Sequence, residues 1–126
     1  MTRIKILIVE DHPDSLDLLQ QQLRGMGYSD LVIATNGPDG LQKALDNKPD
    51  LILLDIAIPG MTGLDVARRL KGDSATRSIL ILAVTAKAMP GDREKCLDSG
   101  CDAYLAKPFL PRDLQAEIEK LFGKPD

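Results

Sequence analysis

The chain has 126 residues, 44% of them hydrophobic and 28% charged, with a formal net charge of -3 and a single histidine. That length and composition suit one globular domain with a real core and exclude a disordered chain. Trp is absent, aromatics are few, and the densest basic spot (Arg68, Arg69 and Lys71) is flanked by Asp65 and Asp73. The chain therefore lacks both the basic stripe and the stacking platform of a nucleic-acid binder.

The opening MTRIKILIVE has too short an apolar run for a signal peptide and no small-residue cleavage site. No stretch approaches the roughly 20 apolar residues of a membrane span. A cytoplasmic protein is expected. Cys96 and Cys101, with one histidine in the chain, fall short of a zinc set and read as reduced, packed thiols.

Five apolar, β-rich runs occur in order: Ile4–Val9, Leu31–Ala34, Leu51–Leu54, Ile79–Val84 and, more weakly, Ala103–Leu105. Most are continuously apolar, as in parallel strands covered on both faces. Segments of helical period separate them. The first opens at Pro13, carries Leu16, Leu19 and Leu23, and stops at Gly27. The second spans Gly37 to Asn47; the third carries Leu64, Ala67 and Leu70 and closes at Gly72. The fourth is expected over Met89 to Ser99, before Gly100, and the fifth from Pro111 through Phe122. Five β-α units in this order predict an α/β, flavodoxin-like doubly wound parallel sheet, strand order 2-1-3-4-5, with helices on both faces.

In such a sheet, ligands bind beyond the carboxyl ends of the strands, near the point where strand order reverses. The first strand runs into Glu10 and Asp11, the third into Asp55, the fourth into Thr85 and the fifth into Lys107. Singly, each has a plainer role: Asp11 also reads as a candidate cap of the first helix, and Asp55 as a loop carboxylate. Together, three carboxylates in one shallow pocket repel, and a hard divalent cation relieves the repulsion. Lys107 and Thr85 suit two oxygens of a phosphoryl group, and a carboxylate can serve as phosphoryl acceptor. On this reading Glu10, Asp11 and Asp55 hold Mg2+, for which Mn2+ could substitute, and Asp55 takes the phosphate.

The segments ILIVEDHP at 6–13, PDLILLDIAIPGMTGLD at 49–65, ILAVTAKA at 81–88 and DAYLAKPF at 102–109 resemble the receiver domain of two-component response regulators. They are most similar to stand-alone regulators and to the receivers of hybrid kinases. The resemblance implies that Glu10 and Asp11 hold Mg2+ with Asp55 and the backbone carbonyl of Ala57, and that Asp55 is the phosphoaspartate. It further implies that Thr85 turns toward the phosphoryl group, that Lys107 pairs with it, that the bond before Pro108 is cis, and that Tyr104 is the aromatic switch. Ala57 and Lys87 occupy the positions that tune hydrolysis of the phosphoaspartate. Implied partners are a histidine kinase or histidine phosphotransfer protein as donor, docking against the first helix and the Pro108-Phe109 loop. A downstream protein would bind the face of helix 4, strand 5 and helix 5, where Lys87, Met89, Arg93, Tyr104 and Arg112 are candidates. The oligomeric expectation is a monomer or weak dimer.

Two rivals differ in class. Phosphatases similar to the haloacid dehalogenases also use a strand-end aspartate with Mg2+, but they need an acid two residues on, where this chain has Ala57. A receiver-like binding module that never takes phosphate would lack one of the acids, the Thr or the Lys, and all are present. P-loop and dinucleotide-binding glycine motifs are absent. His12, between Asp11 and Pro13, is expected to be structural or solvated rather than a phosphate relay. Residues 1–126 are expected to be a single receiver domain with no output domain, acting as phosphoacceptor and catalyst of its own transfer rather than as an enzyme.

Overall fold

A computed structural model describes residues 4–86 and 90–123. Lys87 and Met89, named above, lie outside the described residues. The elements are β1 (Lys5–Val9), α1 (Pro13–Gly25), β2 (Asp30–Ala34), α2 (Gly37–Asn47), β3 (Leu51–Asp55), α3 (Gly63–Gly72), β4 (Leu80–Thr85), α4 (Asp92–Asp98), β5 (Ala103–Ala106) and α5 (Pro111–Phe122). The strands form one parallel sheet in the order β2-β1-β3-β4-β5, as the alternation predicts.

The two-residue period of a strand sorts the core into two layers. Leu7, Val9, Ile52, Leu54, Ile81 and Ala83 face one way, toward Ala44 of α2, Val66 and Leu70 of α3 and Cys96 of α4. Ile6, Ile8, Leu51, Leu53, Leu82 and Val84 face the other way, toward Leu19 and Leu23 of α1 and Leu114 and Ile118 of α5. The three central strands are buried along both faces, which is why their sequences run apolar without alternation. Each fully buried Leu or Ile contributes about 1.5–3 kcal/mol relative to its exposed state.

The helices start where short polar side chains take up free backbone N–H groups. Asn36 Oδ1 accepts from Asp39 N at 2.8 Å, and Thr62 Oγ1 from Asp65 N at 3.2 Å. At α1 the cap is His12, whose Nδ1 faces Ser15 N at 3.5 Å, rather than Asp11. His12 is exposed and structural, as its setting suggests.

Helix α4 is shorter than the sequence pattern implies. It begins at Asp92 rather than Met89, because Gly91 sits at φ +90°, a left-handed conformation that a right-handed helix cannot contain. Its far end closes with Cys101 N donating to Cys96 O at 3.1 Å, which brings the two cysteines together as the apolar contact of the helix stop. Both thiols are free and buried; burial pushes Cys101 up to about 12, so it stays protonated.

Candidate functional site

Strand register decides which side chains meet at the carboxyl edge. Val9 pairs with Leu54 and Asp55 with Val84, so Glu10 and Asp55 emerge side by side from neighbouring strands. Glu10 N still donates to Ala34 O (3.0 Å) and Lys107 N to Thr85 O (2.8 Å), so the ladder carries both residues one step past their strands. Glu10, Asp55 and Lys107 keep the alternation of the layer shared with α1 and α5, whereas Thr85 and Tyr104 keep that of the layer shared with α2, α3 and α4. Two side-chain sets thus leave the same sheet edge toward opposite faces. The sequence carries this split, since a period of two fixes it once the strands are known.

On the first side, ligand oxygens of Glu10, Asp11 and Asp55 all lie within 4.8 Å of one another. Glu10 is only 1% exposed, and its Oε1 accepts from Lys107 Nζ at 2.5 Å while Oε2 accepts from His12 N at 3.2 Å. Lys107 Nζ is 3.9 Å from Asp55 Oδ2, and Asp55 Oδ1 accepts from Ala57 N at 3.1 Å. Asp11 is exposed at the rim.

The electrostatics follow from that geometry. Burial alone would raise both carboxyls. At Glu10 that effect is outweighed by the hydrogen bond from Lys107, by Asp55 and by the His12 amide, so its carboxyl lies below the usual range. At Asp55 burial leads, reinforced by the hydrogen bond and negative charge of Glu10, and the carboxyl is pushed up to about 6. Of the two carboxyls Asp55 is therefore the first to take a proton as pH falls. Three carboxylates facing the single ammonium of Lys107 leave two negative charges uncompensated, which matches what a hard divalent cation requires.

On the other side, Thr85 is buried at the end of β4. It lines a pocket of about 230 Å³ with Ile56, Ala57, Thr62, Lys95 and Cys96, between the β3–α3 loop and α4. Tyr104 on β5 packs, partly buried, against the layer containing Cys96. The Lys107-Pro108 bond is cis, as the resemblance implied. Arg93 and Arg112 are exposed on α4 and α5.

A family model for the response regulator receiver domain matches residues 6–119. The chain belongs to that family. Domains of this kind are phosphoacceptors that take phosphoryl groups from histidine kinases and bind downstream partners. This receiver is 40% identical over 111 residues to the polar-differentiation response regulator DivK of Brucella anthropi, covering 87% of this chain and 89% of that one. It is 38% identical over 120 residues to the alkaline phosphatase synthesis transcriptional regulatory protein PhoP of Bacillus subtilis, covering 95% of this chain but 49% of PhoP. Among solved structures it resembles the receiver domain of the sensor histidine kinase PA1611 from Pseudomonas aeruginosa PAO1, described with a magnesium ion coordinated in the active-site cleft. That match has a TM-score of 0.88 at 34% identity and covers 97% of this chain and 99% of that one. No helix among the described residues of the receiver is long and apolar enough to cross a membrane.

The sequence reading missed three glycines around the loop that follows Asp55. Gly37, Gly60 and Gly63 leave no room for a side chain, and their obstructing neighbours include residues more than twenty positions away. Only the glycine content of the segments hinted at them.

Proposed function

We propose that this receiver is a cytoplasmic phosphoacceptor switch, a single domain that takes a phosphoryl group onto Asp55 and thereby changes which protein it binds. The observation that carries the reading is the convergence of Glu10, Asp11 and Asp55 oxygens within 4.8 Å, with Lys107 Nζ poised 3.9 Å from Asp55. When bound among Glu10, Asp11, Asp55 and the Ala57 carbonyl, Mg2+ (or Mn2+) offsets the carboxylate charge and that of the incoming phosphoryl oxygens.

The chain's own groups do the rest. Asp55 Oδ2 attacks the phosphorus of a donor phosphohistidine, the P–N bond breaks, and the imidazole leaves with a proton. The Ala57 amide holds Oδ1 and so fixes the orientation of Oδ2. Lys107 exchanges its bond to Glu10 for one to a phosphoryl oxygen, a short move for a side chain already between the two carboxylates. Thr85 supplies a hydroxyl to another oxygen from the α4 side, and Tyr104 repacks in the space that Thr85 leaves. That biases the α4-β5-α5 face, with Arg93 and Arg112 on its surface, toward a downstream partner. Ala57 and Lys87 set how readily water reaches the phosphoaspartate. The donor, a histidine kinase or histidine phosphotransfer protein, docks on an apolar hollow of about 210 Å³ formed by Ser15, Leu18, Leu19, Lys107, Pro108 and Phe109. Leu18, 53% exposed, gives that hollow an apolar rim.

Incubation with acetyl phosphate and Mg2+, followed by intact mass, tests the proposal in wild type and Asp55→Asn. One added phosphoryl group that requires Mg2+ and is lost in the variant is the expected result. An adduct that survives in Asp55→Asn, or none in wild type, refutes it.

A further inference from the structure

The loop that follows Asp55 is gripped from a direction that takes no part in the chemistry. Residues 56–62 connect β3 to α3, and the turn that opens α2 presses on them from the side. Gly37 N donates to Pro59 O at 3.1 Å. Gly37 is buried, and a Cβ placed on it would lie 2.3 Å from Met61 Cγ and 3.3 Å from Val66 Cγ2. Across the same contact Gly60 sits at φ +91°, and a Cβ there would lie 2.8 Å from Pro38 Cδ. Two turns distant in sequence thus meet at glycines, with a proline ring and a methionine side chain filling the contact. The turn itself is held by Asn36, which caps α2.

The far end of the loop is fixed as tightly. Gly63 N donates to Ile56 O at 2.9 Å, and a Cβ on Gly63 would lie 2.6 Å from Ile56 Cα and 2.8 Å from Asp55 O. Ala57 lies between these two anchorages, one residue past Ile56 and two before Pro59. A free seven-residue loop would give up conformational entropy at every residue when a ligand ordered it. A loop held in advance does not incur that cost at binding.

We propose that the β2–α2 turn is a positioning element for the metal-facing loop: Gly37 and Pro38 clasp Pro59, Gly60 and Met61 so that Asp55 and Ala57 present their oxygens to the cation in a fixed arrangement. The proposal rests on the reading of Glu10, Asp11 and Asp55 as a Mg2+ site. Gly37 and Pro38 touch neither the metal nor the phosphoryl group; they act through the loop. Changes at the start of α2 then alter Mg2+ affinity without altering a ligand.

Calorimetric Mg2+ titration and amide hydrogen exchange at Ala57 in chelator, on wild type, Gly37→Ala, Met61→Ala, the double variant and Pro38→Ala, test it. Gly37→Ala should weaken Mg2+ about tenfold, as loss of a ligand-orienting contact does, and should speed Ala57 exchange in the metal-free protein. The double variant should match Met61→Ala, because the obstructing atom is gone. Pro38→Ala adds no side-chain bulk, removes the ring facing Gly60 and frees the backbone at the start of α2, so it should speed Ala57 exchange even if Gly37→Ala does not fold. A lowered melting temperature with wild-type Mg2+ affinity and wild-type Ala57 exchange would overturn the proposal, as would a double variant weaker than Met61→Ala by the full Gly37→Ala factor. Absence of Mg2+ binding by wild type refutes the metal reading instead, and the exchange measurements, made in chelator, still decide whether the clasp holds the loop.

Discussion

Asp55→Asn should make the metal-free protein more stable at pH 7.5, although it removes the proposed acceptor. Asp55 is pushed from 3.8 to about 6 by burial and by its hydrogen bond and repulsion with Glu10. About two pH units at ~1.4 kcal/mol each set an upper bound near 3 kcal/mol on the cost of ionising it in the fold. The pocket opens to water at the sheet edge, so we expect roughly half of that. Asn has nearly the same shape: its carbonyl can keep the bond from Ala57 N, and its amide can donate to Glu10. A carboxyl whose folded value lies above its unfolded value contributes stability at low pH that is lost as pH rises through the folded value. The advantage of the variant is therefore largest above about pH 6 and shrinks as pH falls toward 4, where wild-type Asp55 holds its own proton. Urea unfolding followed by circular dichroism, in chelator at several pH values, measures it; the chain has no Trp to report by fluorescence. Saturating Mg2+ should narrow the gap by stabilising wild type more than the variant. Equal or lower stability of Asp55→Asn at pH 7.5, or an advantage that does not vary with pH, would refute the reasoning.

Lys107→Met leaves the buried Glu10 carboxylate without its cation, and should cost about 2 kcal/mol in urea unfolding at pH 7.5. Because Lys107 holds Glu10 below its ordinary value, that loss should fade as pH falls and Glu10 protonates. Lys48→Gly should be stabilising by about 0.5 kcal/mol: Lys48 sits at φ +47°, and relief of a left-handed backbone outweighs loss of its bond to Ala75 O. A destabilised Lys48→Gly by the same assay would show that the tether matters more than the strain. Lys71→Met should cost about 1–2 kcal/mol, since Lys71 Nζ joins Asp102 Oδ2 (2.9 Å) to Ile79 O (2.8 Å) at the amino end of β4.

The fold was largely open to reading because each strand is bounded by a change of residue type. Leu51–Leu54 runs apolar until Asp55, and the structure carries β3 one residue further, onto the acid itself. The start of α4 was expected at Met89, while the deciding fact is the backbone of Gly91, whose positive φ composition does not reveal. The polar strand ends were likewise legible, and the sheet order brings Glu10 beside Asp55. The Lys107–Glu10 bond was not, since the sequence suggested that the lysine awaits a phosphoryl group and gave no sign that it is engaged beforehand. The clasp at Gly37 and Gly60 lay beyond reach because a glycine advertises room, and only the folded neighbours reveal that there is none.

The opposite alternation of Lys107 and Tyr104, three residues apart on one short strand and its extension, has a consequence for how such a domain diversifies. A donor held by α1 and a reader held by α4 would meet opposite layers of the sheet, joined through the strand ends, while α5, packed in the α1 layer, is the flank the two could share. Drift on one flank can then change who delivers the signal while leaving untouched who hears it. A lineage could rewire its inputs and outputs one at a time, each step passing through a working intermediate.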